Sequence, residues 1–263
     1  MDMSEMRREA RMQEYIPGVY NYCDRWCERC PFTSRCLNYR IVKEDDERDP
    51  ASRDIHNKAF WDRLGRMFAQ TREMISKYAQ EEGIDLDAIN AEEFVRDERC
   101  RDRQVRSHQC AALARRYAAL AAKWMDASKP LLEEKQESLN AALRMELPGA
   151  EPAAEADAIC DALEVVAWYQ YFIGAKVQRA LHGAEDPDAE DDMPRDCDGS
   201  AKIALISMDR SIAAWATLRQ ALADKADVIL DFLVLLDRLR RGIEKAFPDA
   251  RAFVRPGFDE PAR

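Results

Sequence analysis

Residues 152–182 read PAAEADAICDALEVVAWYQYFIGAKVQRALH, and large apolar side chains recur in this run at every third or fourth position. This period is typical of an amphipathic α-helix that buries one face. Pro152 suits the first turn of such a helix, and Gly183 follows its last residues as a common terminator. The buried face is expected to consist of Ile159, Leu163, Val166, Tyr169 or Gln170, Ile173, Val177 and Leu181.

The same apolar period recurs on both sides of this run, and no stretch shows the alternation of a strand. In the segment 50–82, the spacing predicts a buried face made of Phe60, Leu64, Met67, Phe68, Ile75 and Tyr78. Residues 91–128 are predicted to form one helix or two, with Ser107 as a candidate cap between them. Further helices are expected from Pro130 to about Leu147, from Ser200, and over 225–246. The predicted fold class is all-α, a bundle of four to five long helices with a small N-terminal four-cysteine metal-binding module.

The chain contains two acidic runs. Residues 44–49 carry a net charge of −4 and residues 185–198 one of −7, so these runs account for the total of −10 and leave the rest nearly neutral. Such runs are typical of solvated connections. The predicted organisation is a metal-binding module over 1–43, an acidic linker over 44–49, a helical bundle over 50–248 with an acidic loop at 184–199, and a C-terminal tail over 249–263.

The composition argues against several classes of protein. The N-terminal run MDMSEMRREARMQEY lacks the apolar core of a signal peptide, and no segment reaches the roughly 18 apolar residues that span a bilayer. In the arginine-rich stretch 96–106, acidic residues interrupt the basic ones, which is unlike a phosphate-binding stripe. We therefore expect a cytoplasmic protein with reduced thiols, and neither nucleic acid nor a membrane as a partner.

Four of the eight cysteines lie within the run CDRWCERCPFTSRC, residues 23–36. Clustered reduced thiols favour metal binding, so the predicted ligands are Cys23, Cys27, Cys30 and Cys36. On a short helix the first three would share one face, and the chain would return after Pro31 to bring in the fourth. Nearby arginines would offset the thiolate charge, and nearby aromatic side chains would shield the sulfur atoms.

Three interpretations of this cluster remain open: an iron–sulfur cluster, a structural zinc ion, and ordinary thiols or disulfides without metal. Zinc sites usually combine two C-x2–4-C pairs across a longer spacer, whereas one contiguous four-cysteine loop is closer to the way ferredoxins hold a cluster.

The spacing of Cys23, Cys27 and Cys30 also resembles the three-cysteine motif of radical S-adenosylmethionine enzymes. Those enzymes usually have an aromatic residue where this chain has Arg29, and they leave one iron open where Cys36 would add a ligand. They also have a barrel of alternating strands and helices. The resemblance covers eight residues and does not extend to the predicted fold.

Other candidate residues have mainly structural interpretations. We expect Cys110 and Cys160 to be buried, and Cys100 and Cys197 to be exposed. Glu164 and Asp209 stand in apolar stretches, where they would form a buried polar network with Lys176 or Arg210, or else line a catalytic pocket.

The leading functional hypothesis is a metal-binding protein whose cluster has a structural or redox role and whose helices dock a protein partner or a small ligand. The alternatives are an iron–sulfur oxidoreductase with a site between helices, and a zinc-stabilised interaction scaffold. The sequence carries no nucleotide-binding fingerprint and no nucleophile–base signature.

Overall fold

The computed structural model describes residues 14–88, 91–145, 151–184 and 195–259. Within these ranges the regular elements are α-helices and short 3₁₀ turns, without any strand, so the all-α prediction is confirmed. The eight α-helices are α1 (Leu37–Arg48), α2 (Lys58–Glu82), α3 (Ala91–Ser107), α4 (Gln109–Ala127), α5 (Lys129–Met145), α6 (Pro152–Ala184), α7 (Asp196–Ala221) and α8 (Ala226–Ala246).

The chain divides into two compact units. The first contains the residues up to Asn21 together with Arg25–Cys100, and the second contains Tyr22–Asp24 together with Arg101–Arg263. The sequence placed its boundaries at residues 43 and 49 instead. Most of the expected acidic linker, 44–49, is helical, because it continues α1 as far as Arg48.

In the second unit, α4, α6, α7 and α8 pack against one another. An aromatic cluster lies among them: the Trp215 ring stacks on Phe232 with centroids 4.2 Å apart, and its indole N–H donates to the Tyr117 hydroxyl at 3.1 Å. Each aromatic ring buries a large apolar area, and edge-on or stacked ring pairs add stability beyond that area. The largest fully buried side chains here are Tyr117, Tyr169, Ile173, Ile203, Leu205, Met208, Trp215, Leu218, Ile229, Leu236, Leu239 and Ile243.

The segment 91–128 forms two helices, which separate at His108. The His108 side chain caps α4, because its Nδ1 accepts a hydrogen bond from the Cys110 backbone N–H at 3.2 Å. The expected cap, Ser107, instead ends α3 and donates its hydroxyl to the Gln104 carbonyl at 2.8 Å. A side-chain acceptor at this position satisfies one of the amides that a helix start leaves without a partner.

The helix predicted over 50–82 begins later than expected. Pro50–Arg53 is a 3₁₀ turn, and α2 starts after Asn57, whose side chain accepts from the Ala59 N–H at 3.0 Å. The predicted end at Gly83 is confirmed, since this residue adopts the left-handed conformation with φ of 69° that closes many helices.

The first unit has a small apolar core. In its described residues, the buried apolar side chains are Tyr15, Val19, Trp26, Leu37 and Ala79. The face of α2 that was expected to be buried is largely exposed, including Met67, Phe68, Ile75 and Tyr78. The prediction of a buried face on this helix is therefore wrong for these four residues.

Two cysteines lie in environments opposite to those expected. The structure begins α7 at Asp196, four residues earlier than predicted, so Cys197 is helical and only 2% exposed. Burial raises the pKa of its thiol. Cys160 is exposed on α6. The rest of the predicted acidic loop, 185–194, and residues 1–13, 146–150 and 260–263 lie outside the described part of the chain.

None of the described helices combines the length and the apolar character that crossing a bilayer requires.

Candidate metal centre

The segment around Cys27, Cys30 and Cys36 consists of two consecutive 3₁₀ turns in the first unit. Cys27–Arg29 forms the first turn, and the Cys30 backbone N–H closes it on the Cys27 carbonyl at 3.2 Å. Thr33–Arg35 forms the second, closed by the Cys36 N–H at 3.3 Å. Each turn is thus followed directly by a cysteine. The expected single α-helix through the first cysteines is wrong, and Pro31 lies where the chain leaves the first turn.

Two of these sulfur atoms accept backbone hydrogen bonds. The Phe32 N–H donates to Cys30 Sγ at 3.4 Å, and the Tyr39 N–H donates to Cys36 Sγ at 3.5 Å. Cys36 directly precedes the first residue of α1. Hydrogen bonds to the charged form of a thiol stabilise that form, and the thiolate is the form that binds metal.

The chain is strained close to these thiols. Arg25 has φ of 59°, in the left-handed region, and it is the one described residue other than glycine with a positive φ. Because a Cβ atom makes this conformation unfavourable, such residues are often found at functional sites. The Arg29 guanidinium lies 4.1 Å from the centroid of the buried Trp26 ring, which keeps a positive charge beside the turn.

All eight cysteines lie in the described residues, and none forms a disulfide. Cys27, Cys30 and Cys36 are half-buried in the first unit. Their Sγ atoms do not form a group in which all lie within 4.8 Å of one another. One zinc ion with Zn–S bonds of about 2.3 Å would therefore require these turns to close further.

Cys23 belongs to the second unit, where the residue after it is held by three hydrogen bonds. The Asp24 carboxylate accepts from the Tyr169 hydroxyl at 2.7 Å and from the Arg210 guanidinium, and the Asp24 carbonyl accepts from the Trp168 indole at 3.1 Å. Burial and the bond to Asp24 raise the pKa of Tyr169, so this phenol remains a donor. These contacts fix the backbone directly after Cys23.

The residue before Cys23 is held as firmly. The Tyr22 hydroxyl donates to Asp196 Oδ1 at 3.0 Å, and Asp196 is in turn paired with Arg179 at 2.9 Å. The Tyr22 ring meets Phe253 edge-on with centroids 4.7 Å apart. Burial raises the pKa of Tyr22 to about 12. With both neighbours anchored, the position of Cys23 is set by α6 and α7.

The sequence did not indicate the contacts that hold Tyr22 and Asp24, because the residues that form them are up to 186 positions apart in the chain. It had instead paired Arg210 with Glu164 or Asp209. In the structure Glu164 is exposed, and Asp209 forms ion pairs with Arg251 at 2.6 Å and with Arg240 at 3.5 Å. The predicted buried network around these carboxylates is therefore wrong.

Two further features of the second unit could bind small groups. His182 Nε2 lies 3.2 Å from the Asp102 carboxylate in a partly exposed pair that the sequence did not indicate. A groove of about 440 Å³ lies between α5 and α6, and Lys135 at its side is paired with Glu155 at 2.6 Å. Its apolar lining includes Leu132, Leu139, Ile159 and Leu163, with the exposed Cys160 among them.

The chain matched no family model, no curated protein and no solved structure. Any assignment of function therefore depends on the chemistry of these residues.

Proposed function

We propose that this protein binds a metal centre through Cys23, Cys27, Cys30 and Cys36, and that the centre has a structural role. The observation that carries the proposal is the pair of backbone N–H bonds to the sulfur atoms of Cys30 and Cys36, each of which follows a 3₁₀ turn. Such bonds orient thiolates and tune the centre that they hold.

The small core of the first unit supports a structural role. Its described residues bury five apolar side chains and Ser52, which is little for a segment that continues to Cys100. Protein units that cannot bury enough apolar surface are commonly stabilised by disulfides or by a metal. The cysteines form no disulfide, so a metal is the remaining crosslink of this kind.

The anchored residues on either side of Cys23 fit the same role. Tyr22 and Asp24 attach this ligand to α6 and α7, which belong to the part of the chain that we infer to be a helical bundle. Metal binding to the proposed cysteine ligands would add its binding free energy to the stability of the folded chain.

The helices of this inferred bundle offer a docking surface for a partner or a small ligand. The groove between α5 and α6 supports this part of the proposal, because its size and its apolar lining are within the range of small-molecule sites.

The test compares two cysteine variants of the full chain. Cys30→Ser removes one proposed ligand, whereas Cys100→Ser removes an exposed thiol outside the cluster. We expect protein purified without oxygen to contain about one metal centre per chain, to keep it in Cys100→Ser and to lose it in Cys30→Ser. Elemental analysis gives the metal content, and the visible absorption of an iron–sulfur cluster distinguishes it from colourless zinc protein.

Equal metal content in the two variants would show that Cys30 is not a ligand. Protein that carries neither iron nor zinc after anaerobic purification, and that gains no stability when either is added, would contradict the proposal as a whole.

A further inference from the structure

Helix α2 presents a continuous apolar surface to solvent. Trp61, Phe68 and Ile75 are 55%, 67% and 54% exposed, and they follow one another at intervals of seven residues. Met67, Met74 and Tyr78 beside them are also exposed. Monomeric proteins rarely leave a surface of this kind uncovered, and no element in the described residues of the chain buries it.

The spacing on this helix is that of a coiled-coil seam. Six residues along α2 are separated alternately by four and three positions, which corresponds to heptad positions a and d. They are Phe60, Leu64, Met67, Thr71, Met74 and Tyr78. A repeat of 3.5 residues keeps the seam turned toward a second helix along its whole length. The column of Trp61, Phe68 and Ile75 widens the seam on one side.

The charges of α2 indicate which helix this partner is. Residues 58–72 contain four basic residues and one acidic residue, for a net charge of +3, and residues 73–82 contain three acidic residues and one basic residue, for −2. Two copies of α2 in antiparallel orientation would bring each basic half against the acidic half of the other. A parallel pair would place like charges together.

We propose that α2 pairs with α2 of a second copy of this chain in an antiparallel two-helix seam. A two-fold axis across the middle of the helix makes this contact self-complementary and closed, as in most homodimers. In an antiparallel pair the two helix dipoles also point in opposite directions, which is the favourable arrangement for neighbouring helices. The proposal uses no part of the metal centre and does not depend on it.

The test uses the full chain and two neighbouring substitutions. Phe68→Glu places a charge in the exposed apolar column that widens the seam, whereas Ala69→Glu places the same charge at the next residue, on the face of the helix that points away from the seam. We expect the parent protein and Ala69→Glu to sediment as dimers. Phe68→Glu should sediment as a monomer, with a dissociation constant raised at least about 100-fold.

Sedimentation velocity over a range of concentrations measures the mass, and far-ultraviolet circular dichroism verifies that both variants keep their helices. A parent protein that stays monomeric at every concentration would overturn the proposal, and so would equal dimerisation of the two variants. Binding of monomeric protein to anionic lipid vesicles, lost only in Phe68→Glu, would also overturn it and assign the surface to a membrane instead.

Discussion

At the scale of single residues, Asp24 has an unusual concentration of contacts. Its side chain is only 18% exposed and accepts hydrogen bonds from Tyr169 and Arg210, while its carbonyl is bound by Trp168. A partly buried carboxylate with charged and neutral donors is stabilised more than an exposed ion pair, because less of its interaction is screened by water. Asp24 is therefore a positioning residue for Cys23.

We expect Asp24→Asn to lower the free energy of unfolding by about 2 kcal/mol, since it removes a charge-assisted pair and leaves its donors poorly matched. The matched control is Asp126→Asn, which affects a 78% exposed carboxylate paired with Lys129 at 2.9 Å and should change stability by less than about 0.5 kcal/mol. Urea unfolding followed by tryptophan fluorescence measures both. Equal losses in the two variants would show that the Asp24 contacts do not anchor this segment.

At the scale of elements, two helical glycines of the second unit have opposite surroundings. A Cβ atom on Gly199 of α7 would lie 2.7 Å from the Phe253 ring and would overlap the Tyr22 ring, so this glycine makes room for the residue before Cys23. A Cβ atom on Gly174 of α6 would meet no atom within 4 Å. Substitution by alanine should therefore lower the free energy of unfolding at Gly199 and raise it at Gly174.

Gly199→Ala is expected to destabilise the protein by about 1–3 kcal/mol, because it displaces two packed rings. Gly174→Ala is expected to stabilise it by up to about 1 kcal/mol, because alanine favours the helix interior. Thermal or urea unfolding gives the sign of each change. If Gly199→Ala were also stabilising, the Tyr22 ring would not be packed against α7 as described.

At the scale of the whole molecule, the two units have very unequal cores. The aromatic and aliphatic core of the second unit has no counterpart among the described residues of the first. Units that differ this much in buried apolar surface need not unfold together. The larger unit should be the more stable one.

We expect thermal unfolding to show two transitions, with the first unit melting at the lower temperature. A metal chelator should lower only this first transition, by about 10 °C or more, because loss of a tightly bound ion removes several kcal/mol from a small unit. Circular dichroism at increasing temperature, with and without chelator, makes the measurement. One transition that the chelator leaves unchanged would contradict both the separate melting of the units and the structural role of the metal.

Much of the helical structure could be predicted because it depends on nearby residues. The stop at Gly83 was found correctly, and so was the buried stripe of α6, in which Ile159, Val166, Tyr169, Ile173, Val177 and Leu181 are all buried. Helix starts were less accurate. At α2 and α4, the side chains of Asn57 and His108 accept backbone N–H bonds and set the start of the helix, instead of the expected Pro50 and Ser107.

The environment of individual side chains was harder to predict. Cys197 was expected in an acidic loop and is buried in α7, whereas Cys160 was expected in the core and lies at the surface. Apolar residues recur at every third or fourth position in both α2 and α6, yet the stripe of α2 is largely exposed and that of α6 is buried. Periodicity defines an apolar face but does not show what covers it.

The sequence alone determined the all-α class, the position of most helices and the cluster of four cysteines, since these follow from residues a few positions apart. Only the tertiary structure decided that Tyr22 and Asp24 are anchored on α6 and α7, that the cysteines follow two 3₁₀ turns, and that α2 exposes its apolar face. These features depend on which distant residues meet. These long-range contacts are determined by the packing of the whole chain, and no local sequence pattern indicates them.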